Sequence, residues 1–387
     1  MRNIRVFYFL EAALSLAGGL ILPVYVIYFR LYDVTLFQVA LLAAVFEATI
    51  IIFELPTGIF ADRFGRKLST AIGFFLLTIS GAVFLGWKSF YGFLAAEILF
   101  GVGETFISGA LEALAVDSTG EGNRSQNLNR LFSTRTIVKT SALSLGMIAG
   151  GIIGGAAPEY LFLPFTFIFF AGFLSSFLLK EVHRSRLTGE RTSLKVDFKA
   201  LIESVSRVPV IALLFAVGAL VNFSFEGVDQ FWQVLLSEIK MVDITYFGLI
   251  TLSGSLLVLA LSRRLEKYYE RLRMTLSILL FGAGISIAAT AIAPSWSAAA
   301  FLILFFALKE LIRPVLSTNL NRFYRGNNRA TFLSGFNLVN SIGEVLAGLT
   351  AGLIVQTTVV PVLFYLSAAV AVGIGGAVVM VVKSKYK

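Results

Sequence analysis

The stretch Gly58–Lys67, GIFADRFGRK, is a compact basic segment between two long, almost wholly apolar runs, Gln38–Thr57 and Leu68–Trp87. A short connection carrying Arg63, Arg66 and Lys67 resists translocation, so this one is expected as a tight turn facing the cytoplasm. Gly58 would let a neighbouring helix approach closely, and Gly65 suits a backbone position with φ above zero. Asp62 is placed to accept hydrogen bonds from the first amides of another helix, where the helix dipole favours an anion. An ordinary inside turn needs only the bases, and not the Gly/Asp/Gly spacing.

Outward from this segment the same pattern recurs. The chain has 387 residues, 57% hydrophobic and 14% charged, with a mean hydropathy of +0.85, which excludes an ordinary soluble mixture. Its apolar runs divide it into twelve membrane-length segments, at 5–29, 38–59, 68–87, 90–116, 131–155, 161–180, 209–236, 244–263, 273–293, 296–319, 331–357 and 359–382. Of 32 Lys and Arg, 26 are assigned to the two termini and the connections on one side, bases near the segment ends on that side being counted with them. Arg30, Lys88 and Lys240 fall in connections on the other side, and Lys139, Lys309 and Arg313 in membrane segments. This asymmetry predicts a multi-pass protein of the cytoplasmic (inner) membrane with both termini cytoplasmic. The pI of about 9.7 is therefore a topology signal, not a nucleic-acid signal.

The first run is about 25 residues long without an evident small-residue cleavage site, and reads as a retained helix. With no cysteine there is no disulfide or thiol chemistry, and His183, the lone histidine, is expected to be solvated in the central connection. No metal cluster, cofactor or nucleophile–base pair is expected, so the chain does not read as an enzyme.

The longest polar interruption, Lys180–Arg207, carries seven bases and four acids, and its end has the pattern of a short amphipathic surface helix. It separates an N-terminal six-helix bundle (1–180), a cytoplasmic linker (181–208) and a C-terminal six-helix bundle (209–387). Internal similarity supports two repeats. GNRS at 122–125 and NNRA at 327–330 are 205 residues apart, and Glu104 and Glu310 are 206 apart. The second half's counterpart of the opening stretch, SRRLEK at 262–267, lacks its glycines and its Asp.

Ten acids fall inside the expected helices: Glu11, Glu47, Glu54, Glu97, Glu104, Glu112, Glu226, Asp229, Glu310 and Glu344. A charge at the centre of a membrane helix costs about 2.5–3.5 kcal/mol, so each needs a partner, water or a proton. Glu97, Gly101, Glu104, Ser108 and Glu112 form one stripe at helical spacing. Asn222, Glu226, Asp229 and Gln233 form another, flanked by Phe223, Phe225 and Trp232, a setting that suits a lipophilic cation. Lys309, Glu310 and Arg313 add a charged group in which Glu310 can pair with Arg313. Asn337, Asn340, Ser341 and Glu344 share a face of the eleventh run. Glu47, Glu54 and Glu112 read as structural, and Glu11 as either. A desolvated carboxyl disfavours its charged form, so it can hold a proton and release it when wetted or when a cation arrives. Glu104, nearest the middle of its run, is the first candidate, followed by Glu226 and Asp229.

The opening stretch closely resembles the signature connection between helices 2 and 3 of the major facilitator superfamily of secondary transporters. That resemblance implies an all-α membrane fold of twelve helices in two pseudo-symmetric bundles, working by alternating access. A cavity lined by helices 1, 4, 7 and 10 near the bilayer midplane is expected. It also implies a gate role for Gly58, Asp62, Arg63, Gly65, Arg66 and Lys67, joined by Asp117. Gly146–Gly155, GMIAGGIIGG, resembles the G-x-x-x-G-P-x-x-G-G pattern of the prokaryotic drug-efflux (proton antiporter) branch, with Gly151 in place of the proline. Gly146, Gly150 and Gly154, followed by Gly155, offer a small-residue packing face. The branch's Arg-x-x-Gln-Gly-x-Gly pattern meets Glu97, Phe100, Gly101 and Gly103 here, so the role of that arginine does not carry over.

The expected activity is proton-coupled antiport, exporting amphipathic or cationic small molecules, by a monomer in the lipid bilayer driven by a proton gradient. Two alternatives stand beside it. One is a proton-coupled importer of a small nutrient or anion, held by Lys139, Lys309 and Arg313. The other is a lipid transporter using an interior rich in the chain's 37 phenylalanines.

Overall fold

The computed structural model describes residues 2–119, 124–181, 209–323 and 329–381. His183, the expected amphipathic helix, nearly all of the 181–208 linker, and Gly122, Asn123, Asn327 and Asn328 of the loop pair lie outside them.

Every long element among the described residues is helical. In order they are α1 (Arg2–Ile21), α2 (Tyr25–Arg30), α3 (Leu36–Phe64), α4 (Arg66–Gly86), α5 (Phe90–Asp117), α6 (Arg124–Ala156) and α7 (Phe162–Ser176). Then follow α8 (Pro209–Val234), α9 (Phe247–Leu265), α10 (Leu272–Ile292), α11 (Ser295–Phe323), α12 (Arg329–Thr357) and α13 (Val360–Val381). Among the described residues, eleven helices are long and apolar enough to cross a membrane. The equally long α11 carries Lys309, Glu310 and Arg313 in its middle. Each of the twelve apolar runs thus has its helix.

Two local expectations are corrected. The first run is not one helix: it breaks at Leu22–Val24, where Pro23 has no amide proton to continue the ladder. The Gly58–Lys67 segment is not a loop either. Nothing in IFADRF stops a helix, so α3 runs on through Phe64, and α4 begins at Arg66. Gly65 alone turns the chain, at φ 108°, the left-handed geometry expected of it. At the other end of α3, Thr35 and Gln38 close a reciprocal cap, with Gln38 N donating to Thr35 Oγ1 at 3.2 Å and Thr35 N to Gln38 Oε1 at 2.9 Å.

The chain divides into two compact units. The N-terminal unit comprises Met1–Gly189 with Asp243–Leu249, and the C-terminal unit comprises Glu190–Val242 with Ile250–Lys387. Both use one neighbour scheme: first helix against fifth and sixth, and third against fourth and sixth. In the N-terminal unit those pairs are α1 with α6 and α7, and α4 with α5 and α7. In the C-terminal unit they are α8 with α12 and α13, and α10 with α11 and α13.

Small side chains set the close approaches in the N-terminal unit. Ser69 and Ser80 of α4 donate to Phe106 O and Ala96 O of α5 at 2.6 and 2.8 Å. At the other end of the unit an aromatic core packs Tyr28, Phe29, Phe84, Phe93 and Phe162, all fully buried, with Phe84 and Phe162 stacked at 4.1 Å. Tyr28 adds a hydrogen bond to Phe84 O at 2.7 Å, which fixes α2 to α4. These rings fill the core.

Candidate functional site

Each unit carries a charged cavity that is partly open. In the N-terminal unit the cavity measures about 300 Å³, and its polar lining comes from α1, α5 and α6. Each helix gives a pair one turn apart: Glu11 and Ser15, Glu104 and Ser108, Arg135 and Lys139. Arg135 donates from Nη2 to Glu11 Oε1 at 2.9 Å and from Nη1 to Glu112 Oε2 at 2.6 Å, with its guanidinium 5.9 Å from the Phe7 ring. One cation on α6 therefore neutralises acids on two other helices. Glu104 makes no hydrogen bond or ion pair among the described residues.

Arg135 corrects the charge map. Although Arg135 falls inside the expected 131–155 run, the charge count places it with the cytoplasmic bases beside that run; α6 starts at Arg124, and Arg135, three turns into it, lines the cavity. Glu97 is two turns from Glu104 on α5 and does not line the cavity. It is 2% exposed, and Tyr25 donates to its Oε1 at 2.7 Å. Glu54 is exposed.

The C-terminal cavity, about 410 Å³, is lined from α8, α11 and α12, the same first, fourth and fifth helices of its unit. Asn222, Lys309, Glu310, Arg313, Asn340 and Glu344 supply its polar wall, and Phe225 and Phe336 its aromatic one. Lys309 forms an ion pair with Asp229. The expected Glu310–Arg313 pair is absent among the described residues, and both side chains are exposed. Only Asn222 of the α8 stripe lines this cavity. Glu226 accepts from Gln230 Nε2 at 2.9 Å, Gln233 is buried, and Trp232 packs edge-on against Phe306 at 5.6 Å. The side chain of Asn337 lies outside the described residues. The fifth helix of each unit was absent from the expected lining of helices 1, 4, 7 and 10.

The segment around Gly65 brings together Arg66 and Asp117, both expected near the gate, and adds Glu181 and Asn3, which no sequence motif marks. Arg66 forms an ion pair with Asp117, joining the start of α4 to the end of α5. Glu181 accepts from Arg66 N and Lys67 N at 3.0 and 2.9 Å, so it occupies the helix N-terminus where an anion is favoured. Lys67 Nζ donates to Phe177 O at 2.9 Å. Asn3 bonds Ser118 Oγ and both backbone groups of Lys180, each at 2.9 Å. Asp62, by contrast, is exposed and makes no hydrogen bond or ion pair among the described residues. Arg63 is exposed, its guanidinium 5.4 Å from the Phe64 ring. Gly58 is corrected too: a methyl group there would meet nothing within 4 Å, so no helix among the described residues packs against it.

The α6 glycines are closely packed. A Cβ on Gly146 would lie 2.9 Å from Gly19 Cα of α1, and one on Gly150 2.8 Å from Leu20 C. Gly154 faces Val24, and Gly155 faces Thr245 within the same unit.

Helices of membrane length around charged cavities define a polytopic membrane transporter. The chain belongs to the Major Facilitator Superfamily, whose family model matches residues 7–308. It is thus a multi-pass secondary transporter of small molecules, not an enzyme. It is 26% identical over 369 residues to the uncharacterized MFS-type transporter YxaM of Bacillus subtilis, covering 90% of this chain and 88% of that one. It is 24% identical over 365 residues to multidrug resistance protein 1 of the same organism, covering 92% and 90%. The crystal structure of nucleoside transporter NupG shares the fold with a TM-score of 0.82 at 15% identity, over the whole of both chains.

Proposed function

We propose that this protein exports amphipathic or cationic small molecules across the cytoplasmic membrane in exchange for protons, by alternating access and with both termini cytoplasmic. The observation that carries this reading is Glu104. Its neighbours Glu11 and Glu112 are committed to Arg135, whereas Glu104 faces the cavity without a hydrogen bond or ion pair among the described residues. A carboxylate so placed takes up a proton or a cation, and the two compete for one site. The likeness to multidrug resistance protein 1 supports the outward direction. Arg66, Asp117 and Glu181 hold the ends of α4, α5 and α7 together as part of the gate, and the glycines of α6 keep α1 and α6 packed during the motion.

The test is flux of a dye cation in liposomes with an imposed pH gradient. Proton-driven flux should disappear in Glu104→Gln, and undiminished coupling in that variant would refute the assignment. Arg313, exposed on the C-terminal cavity, favours a second reading: import of a small anion. That reading requires inward accumulation of an anionic substrate that collapses with an uncoupler.

A further inference from the structure

Glu97 is buried to 2% exposure in the N-terminal unit, away from the cavity. No base lies within ion-pair distance of it among the described residues. A lone Tyr25 hydroxyl donates to its Oε1 at 2.7 Å. The titratable groups that face it are Tyr25 from α2 and, two turns along α5 itself, Glu104. Seven residues of helix separate the two acids by about 10 Å of rise.

Tyr25 is held in place. The break at Leu22–Val24 redirects the chain into α2, whose Tyr28 is bonded to Phe84 O, and the Tyr25 ring stands edge-on to Phe29 at 4.7 Å. The one donor, Tyr25, steadies an ionised carboxylate but replaces only part of the hydration that burial removes, and no cation among the described residues makes up the rest, whereas the acid form needs no counter-ion.

We propose that Glu97 and Tyr25 form a second proton-binding site of the N-terminal unit, distinct from the cavity carboxylate Glu104. The carboxylate takes up one proton on its free oxygen, and Tyr25 keeps its own proton while donating to the other. This deepens the proton-coupled reading by naming a proton store two turns from the exchange site, and it rests on that reading for its purpose in transport.

The experiment is infrared spectroscopy of the purified full-length chain at neutral pH, comparing wild type with Glu97→Gln. The expected result is loss of a carboxylic-acid carbonyl band equivalent to one group per chain. In Tyr25→Phe the band should persist and move to higher frequency, because its hydrogen bond is gone. Identical wild-type and Glu97→Gln spectra, or a Glu97 band that emerges only on acidification, overturn the proposal. Should Glu97→Gln not fold, an acid band unmoved by Tyr25→Phe overturns it alone. Neither readout needs transport. A chain that moves nothing along a pH gradient refutes antiport and leaves the proton on Glu97 standing, while proton-driven flux with Glu97 ionised does the reverse.

Discussion

Arg135 Nη2 lies 2.9 Å from Glu11 Oε1, and the same guanidinium reaches Glu112, so α1, α5 and α6 share one counter-ion. Removing the cation strands two acids, whereas removing cation and acid together strands fewer. Arg135→Gln should therefore cost about 2–3 kcal/mol, less than a fully sealed pair because the arginine side chain is 26% exposed. Glu11→Gln combined with Arg135→Gln should recover part of that loss. Thermal unfolding in detergent measures both, and additive losses would show that the pair does not couple. Arg135→Lys should rescue incompletely, because an ammonium lacks the planar fork that serves two carboxylates at once.

The Asp229–Lys309 pair of α8 and α11 follows the same logic in the C-terminal unit. Lys309→Met leaves Asp229 without its ion-pair partner in a helix interior and should destabilise by about 2–4 kcal/mol. Asp229→Asn added to Lys309→Met should restore most of it. A double variant as unstable as Lys309→Met alone would mean that the lysine acts through other contacts.

How much of this was legible in the chain depends on whether a feature is local. The twelve spans are local, and each was visible as an apolar run. Glu104, Lys139, Lys309, Glu310, Arg313, Asn340 and Glu344 were visible as well, since polar groups in apolar helices have few places to go but a cavity. Arg135 was counted outside the membrane although it lies four residues inside the expected 131–155 run, because Arg124, Arg130 and Arg135 read as one basic approach to its apolar part. Its spacing of four from Lys139 was the available signal. Pro23, inside the first run, likewise marked the break. Glu181 and Asn3 carried no such signal: each acts on backbone more than 100 residues away, a relation set by packing alone. Tyr25 and Glu97, 72 residues apart, are of the same kind.

Two glycines singled out for one reason have opposite environments. Gly146→Val would press a branched side chain into Gly19 and Leu16 of α1, which are backbone obstacles and cannot swing aside. The helices must part, and loss of a folded monodisperse peak in size-exclusion chromatography is expected. Gly58→Ala meets open space inside α3 and exchanges a poor helix former for the best one, so stability should hold or rise by up to about 1 kcal/mol. A large loss from Gly58→Ala would reveal a contact made only in another conformation.

The same contrast separates a gate from a strut at the Gly65 turn. Asp117 and Glu181 are bonded, Asp117 to the Arg66 side chain and Glu181 to the first amides of α4. Replacing Glu181 with Ala should cost about 1 kcal/mol, as loss of a helix-end acceptor does elsewhere. Asp62 is exposed and unbonded among the described residues, so Asp62→Asn should leave unfolding within about 0.5 kcal/mol of wild type. If Asp62 nonetheless acts in the transport cycle, Asp62→Asn must slow flux in liposomes while equilibrium binding of the dye cation persists. A variant with wild-type stability, binding and flux would remove Asp62 from the gate and leave the turn to Gly65, Arg66, Asp117 and Glu181.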